Sequence, residues 1–171
     1  MEALNIVAAT PEYALGWAPS VMLYVWRAKT TLEAAQASTA AIRCAREASR
    51  CGRGLLLGIV EEGTPPPGAA VRREIAGAMA HNSDFVFASA LAFEGSGFQG
   101  SMVRMVAAGL SMITRLPFPH HVFERISDAA QWLERESASE PEPVQAAWLE
   151  ALMAEVRHAP MTSGEARAAH G

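Results

Sequence analysis

The chain has 171 residues, half of them apolar and 19% charged, with 18 acidic against 14 basic side chains and a formal net charge of −4 at pH 7. That is enough chain for one domain with a real core, and the composition is far from that of a disordered protein. The arginines are dispersed and form no stripe, so nothing marks a surface for a phosphate backbone, and nucleic acid is not an expected partner.

In chain order, two extended runs come first, one at about residues 4–15 and one at 21–27 (VMLYVWR). Gly16-Trp17-Ala18-Pro19-Ser20 separates them as the connection of a hairpin, and Pro11 weakens the first run. Thr30-Thr31-Leu32-Glu33 has capping-box spacing and predicts a helix to about Arg50, with Leu32, Ala35, Thr39 and Ile42 on its buried face and Gly52 ending it. Leu55-Leu56-Leu57-Gly58-Ile59-Val60 is the continuous apolar run of a central strand. Pro65-Pro66-Pro67 leads into a second helix bearing Val71, Ile75 and Met79. Residues 85–93 (FVFASALAF) read as strand. A third helix carries Met102, Val103, Val106, Leu110 and Ile113, and residues 121–126 form a short strand. Ser127-Asp128 is placed to cap a fourth helix with Ala129, Trp132 and Leu133.

The expected fold is therefore α/β: a mixed, mostly parallel sheet of four to five strands opening with a hairpin, helices packed mainly on one side, and a C-terminal amphipathic helix. The expected organisation is a domain over 1–136, a polar Pro-containing linker over 137–143 (SASEPEP), the amphipathic helix over 144–158 and a disordered tail over 159–171. Val144, Trp148, Leu152 and Val156 recur every fourth residue in that helix, so its stripe must dock in its own domain, on a second copy or on another protein.

The first ten residues lack a basic region ahead of their apolar ones. The most apolar long segment, 102–118, is interrupted by Arg104 and Arg115. No membrane span is expected, and a cytoplasmic location is. Cys44 and Cys51 fall about two helical turns apart, too far for a disulfide, and two cysteines are too few for a zinc site.

Phe93-Glu94-Gly95-Ser96-Gly97-Phe98-Gln99-Gly100-Ser101 spells G-x-G-x-x-G after a strand and before a helix, with Glu124 where a ribose-binding acid would sit. The fingerprint belongs on the first strand of a nucleotide-binding sheet, however, and here too little chain follows it to build the adenosine pocket. The glycines are read as shaping a surface loop, with Gly95, Gly97, Gly100 and Ser101 as a candidate anion or ligand loop. His120-His121 would point to opposite faces of a strand and so would not chelate one metal. Glu61-Glu62 has no paired nucleophile, and no catalytic motif is present. No catalytic residue, cofactor or metal is expected.

The segments VMLYVWRAKTT, GLLLGIVEEG, FVFASALAF and RLPFPHHVFERISDAAQWLE together resemble the STAS-like, or SpoIIAA-like, domains, relatives of bacterial anti-sigma factor antagonists, over about residues 13–136. The resemblance implies helices mainly on one side of a sheet and a non-enzymatic regulatory role in binding other proteins. In the antagonists a serine between the central strand and the second helix is phosphorylated. Thr64 alone takes that place here, without the Asp-Ser-Ser-Gly pattern. The expected partner surface comprises Glu61, Glu62, Thr64, Arg72 and Trp148, with a protein partner or a second copy as its occupant. The alternative is a small apolar ligand or lipid held near Gly95–Gly100.

Overall fold

Three strands open the fold where two were expected. The computed structural model describes residues 3–95 and 116–161. In it β1 (Asn5–Ala9), β2 (Tyr13–Ala18) and β3 (Val21–Trp26) form an antiparallel meander. The first run breaks at Thr10-Pro11-Glu12. Pro11 has no amide to donate, and Thr10 Oγ1 accepts from the amides of Glu12 at 3.2 Å and Tyr13 at 3.1 Å. Gly16, Trp17 and Ala18, expected in the connection, lie inside β2. The turn itself is only Pro19-Ser20, with Ser20 at φ 64°, the positive φ that a type II turn demands after its proline.

From β3 the chain alternates through α1 (Leu32–Ala48), β4 (Gly54–Val60), α2 (Ala69–His81), β5 (Val86–Phe93) and β6 (His120–Phe123), and then adds α3 (Ile126–Ser137) and α4 (Ala146–Arg157). The six strands lie in the order β1-β2-β3-β4-β5-β6, antiparallel up to β3 and parallel beyond it. The sheet is thus mixed, as expected, but larger than four or five strands. The expected third helix lies outside the described residues.

Both faces of the sheet are covered, which corrects the expectation of helices mainly on one side. Leu23, Val25, Leu55, Leu57 and Ile59 pack with Ala129 and Leu133 of α3 and Leu149, Leu152, Met153 and Val156 of α4. Met22, Tyr24, Trp26, Leu56 and Val60 pack on the other face with Ala34, Ala41, Ile42 and Ala45 of α1 and, in part, Met79 of α2. All seven residues of β4 are buried, which only a sheet covered on both sides allows.

The helices differ from the sequence reading in register and caps. Thr31, not Thr30, is the N-cap of α1, and its Oγ1 accepts from the amide of Ala34 at 3.1 Å. Moving the start by one residue turns Leu32 outward to 44% exposure and gives the buried face to alanines and Ile42. The N-cap of α3 is Arg125, which makes no side-chain cap bond. Asp128 sits in the first turn and pairs with the Arg125 guanidinium through two 3.0 Å bonds.

The segment joining α3 to α4 is pinned. Arg53 grips Glu140 at 2.9 and 3.2 Å, Ser137 Oγ accepts from the Val144 amide at 3.0 Å, and Glu134 Oε1 accepts from the Ala146 amide at 3.3 Å. The α4 stripe then docks on its own sheet, with Val144, Leu149, Leu152, Met153 and Val156 buried and Trp148 half-buried. Where α4 crosses β2 a side chain at Gly16 would meet Val156 Cγ2 at 2.9 Å, which accounts for a glycine inside a strand.

Candidate functional site

Each parallel strand from β4 onward ends on a carboxylate: Glu61 follows β4, Glu94 follows β5 and Glu124 follows β6. Because the strands are parallel and in register, these ends converge on one edge of the sheet. There they line a crevice of about 1060 Å³ with Glu62, Phe93, Gly95, Arg125, Ile126, Ser127, Glu150 and Arg157. Among the described residues, five carboxylates against two guanidiniums make it an acidic hollow, lined by the start of α3 and the outer side of α4.

One network organises its floor. Arg157 in the last turn of α4 donates through Nη1 and Nη2 to Glu94 at 3.0 and 2.7 Å and through Nε to Glu61 at 2.9 Å. The fork onto Glu94, with Glu61 as a second charge, holds the guanidinium's proton more tightly than usual. Arg27 ties this corner to the meander, donating to Thr10 O at 2.8 Å and to the carbonyl of Arg157. The helix end, two strand ends and the first turn are thereby held together, while Glu62 and Glu124 are exposed at the rim and Glu150 is half-buried.

The other residues of the expected partner surface lie elsewhere. Thr64 is 5% exposed, and its hydroxyl lies 2.8 Å from the Arg27 carbonyl and 3.2 Å from that of Trp26. It pins the loop after β4 to the end of β3, so the residue expected as a possible phosphorylation site is buried against two carbonyls. A phosphoryl group there would displace both carbonyls and need burial of a dianion. Arg72 turns back onto the Pro67 carbonyl at 3.0 Å, and half-buried Trp148 packs against the core of its own chain. Of the glycine loop, Gly95 belongs to the crevice, whereas Gly97, Gly100 and Ser101 lie outside the described residues. Gly95 and Glu124 do share one hollow, as a dinucleotide fingerprint would have them. Its carboxylates would nevertheless repel a pyrophosphate, and among the described strands the order does not reverse into a switch point.

Two further polar groupings lie away from the crevice. His120 of β6 stands 3.1 Å from Ser89 Oγ of β5, a fully buried hydroxyl. Burial, with the neighbouring His121 adding to it, pushes this imidazole down to about 4. His121 turns to the opposite face and packs at a tilt against Trp132 with ring centroids 4.8 Å apart. Cys44 and Cys51 are free thiols. Among the described residues no group of His, Cys, Asp or Glu is arranged to hold a metal ion, and no helix is long and apolar enough to cross a membrane.

No family model, curated protein or solved structure matches the chain. What the crevice does must therefore be argued from its own chemistry. Sequence reasoning found Glu61, Glu62 and Gly95, and set Glu124 beside Gly95 only as part of a dinucleotide fingerprint it rejected, but missed Glu94, Glu150 and Arg157 as members of one site. The signal was an acidic residue following each parallel strand, which only the strand order converts into a cluster.

Proposed function

We propose that this protein is a non-enzymatic interaction module, regulatory in the manner that the STAS-like resemblance implies, and that the acidic crevice at the carboxyl edge of its sheet receives a basic segment of a protein partner. The observation that carries the reading is the convergence of Glu61, Glu62, Glu94, Glu124 and Glu150 on one hollow with, among the described residues, Arg125 and Arg157 against them. Clefts lined by one sign of charge raise the local concentration of the opposite one. The Arg157 network keeps Glu61 and Glu94 fixed, so the site is organised before a partner arrives.

Selection of displayed random peptides on the full chain tests this. Enriched peptides should be rich in Lys and Arg, and their binding should weaken as salt rises and fall at least tenfold in Glu62→Lys/Glu150→Lys. Enrichment of apolar or acidic peptides, or binding indifferent to the double charge reversal, would refute the reading. A response to small polyamines but not to peptides would reassign the crevice to a small cationic ligand.

A further inference from the structure

The two edges of the sheet are finished differently. β6 is four residues long, follows Pro119 and carries His120 and His121, the shortness and polarity by which proteins keep an edge strand from pairing. β1 is longer, and from Ala3 to Pro11 nine consecutive residues carry no charge. Among the described residues no strand pairs with its outer side, and every second residue of an antiparallel edge strand turns its N–H and C=O away from the sheet. Ala3, Asn5, Ile6 and Val7 are exposed along this edge. Ile6 and Val7, each 38% accessible, are two of the four large apolar side chains exposed among the described residues. Apolar side chains beside outward-facing peptide groups are what a further β-strand recognises.

We propose that β1 is a homodimer surface, pairing antiparallel with β1 of a second copy about a two-fold axis and joining two six-stranded sheets into one.

Charge selects the second copy as occupant. Each copy carries a net −4, so two copies repel one another on average, and this strand is where they can meet without setting carboxylate against carboxylate. A partner recruited by opposite charge finds nothing to hold on β1 and goes to the acidic crevice instead. An antiparallel pair of identical strands is self-complementary, so the contact is isologous and closes at two copies, leaving the β6 edges outermost. The bulge between Ile6 and Ala8 sharpens the local twist. With Ala8 and Ala9 buried, it confines the pairing to the stretch from Ala3 to Val7. So short a pairing makes a small interface, and small interfaces are transient; the dimer forms between micromolar and millimolar protein. The surface lies beyond β2 and β3 from the crevice and does not depend on what binds there.

The test is sedimentation equilibrium of the full-length protein from micromolar to millimolar concentration, with amide hydrogen exchange followed at both ends of that range. The mass should rise from that of one copy to that of two and no further, and amides between Ala3 and Val7 should gain protection at high concentration. Asn5→Lys sets like charges against each other near the middle of the pairing and should weaken the dimer at least tenfold while leaving the urea midpoint unchanged; Val7→Lys serves if that variant does not fold. Glu62→Lys/Glu150→Lys should leave the dimer intact. A mass of one copy throughout overturns the proposal, as does growth past two copies. So does a dimer that forms without protecting Ala3–Val7, that survives both lysine variants of β1, or that the crevice variant abolishes.

Discussion

Gly58 and Tyr24 should be energetically inseparable. Gly58 of β4 lies directly beneath the Tyr24 ring of β3, its register partner. An added Cβ would stand 2.1 Å from Tyr24 Cζ, 2.2 Å from Cε2 and 2.6 Å from Oη. Carbon atoms in contact prefer about 3.5–4.0 Å, so the ring would have to retreat by more than an ångström. It is 93% buried against the α1–α2 layer, since its exposure is 7%, and has little room to do so. Gly58→Ala should therefore cost about 2–3 kcal/mol, at the upper end for overpacking by one methyl group. Tyr24→Ala should cost about 3–5 kcal/mol through the cavity it leaves. In the double variant the new methyl occupies space that the ring has vacated, so the total should fall short of the sum by about 2 kcal/mol. Urea denaturation of the four proteins measures this cycle directly. Additivity within about 0.5 kcal/mol would mean that the ring does not rest on Gly58 and that the packing described for this face is wrong.

Other consequences follow from the same contacts. Leu149→Ala should destabilise by about 2–5 kcal/mol because Leu149 is fully buried under α4, and Trp148→Ala by clearly less because Trp148 is half-buried; equal losses by denaturation would argue against the docked orientation of the helix. Thr64→Val should cost about 1 kcal/mol by removing a donor from two carbonyls, and phosphopeptide mapping of the native protein should find Thr64 unmodified. The unfolded chain binds the proton that half-buried His120 refuses, so the stability this site contributes is complete above pH 6.5 and is lost as pH falls towards about 4. The loss should be about 3 kcal/mol, and His120→Gln should abolish that part of the pH dependence; an identical profile in the variant would contradict the assignment. NAD and NADP should produce no saturable thermal shift, because the only described part of the glycine motif, Gly95, faces a carboxylate-lined hollow.

The central strands were legible because their runs are long, apolar and bounded by turn residues, as LLLGIV is. The same runs also carried the message that both faces are covered, since a one-sided sheet would alternate polar and apolar residues as β4 does not. Two errors were local. A single proline splits one apparent strand into two, and Thr31 competes with Thr30 for one cap, a choice settled by which side of the helix meets the sheet. The loop after β4 read as exposed from its Glu, Gly and Pro content, yet Thr64 turns inward because two carbonyls at the end of β3 lie within its reach. The crevice was harder to see for a different reason. Arg157 and Glu61 are separated by 96 residues, and no local pattern announces a pairing at that distance. Likewise SASEPEP reads as a tether by composition, whereas Arg53, far upstream, fastens it.

The claim that the acidic crevice receives a basic partner is tested most directly by zero-length carbodiimide coupling of a selected Lys-containing peptide to the full-length protein, followed by mass-spectrometric mapping. Carbodiimide joins carboxylates to lysines in direct contact, so the sites of attachment report the bound surface itself. Linkages should concentrate on Glu62, Glu124 and Glu150, the carboxylates of the crevice outside the Arg157 network, and should fade as salt rises. Linkages concentrated instead on Glu33, Glu47 or Glu74, or spread evenly over the acidic residues, would contradict it.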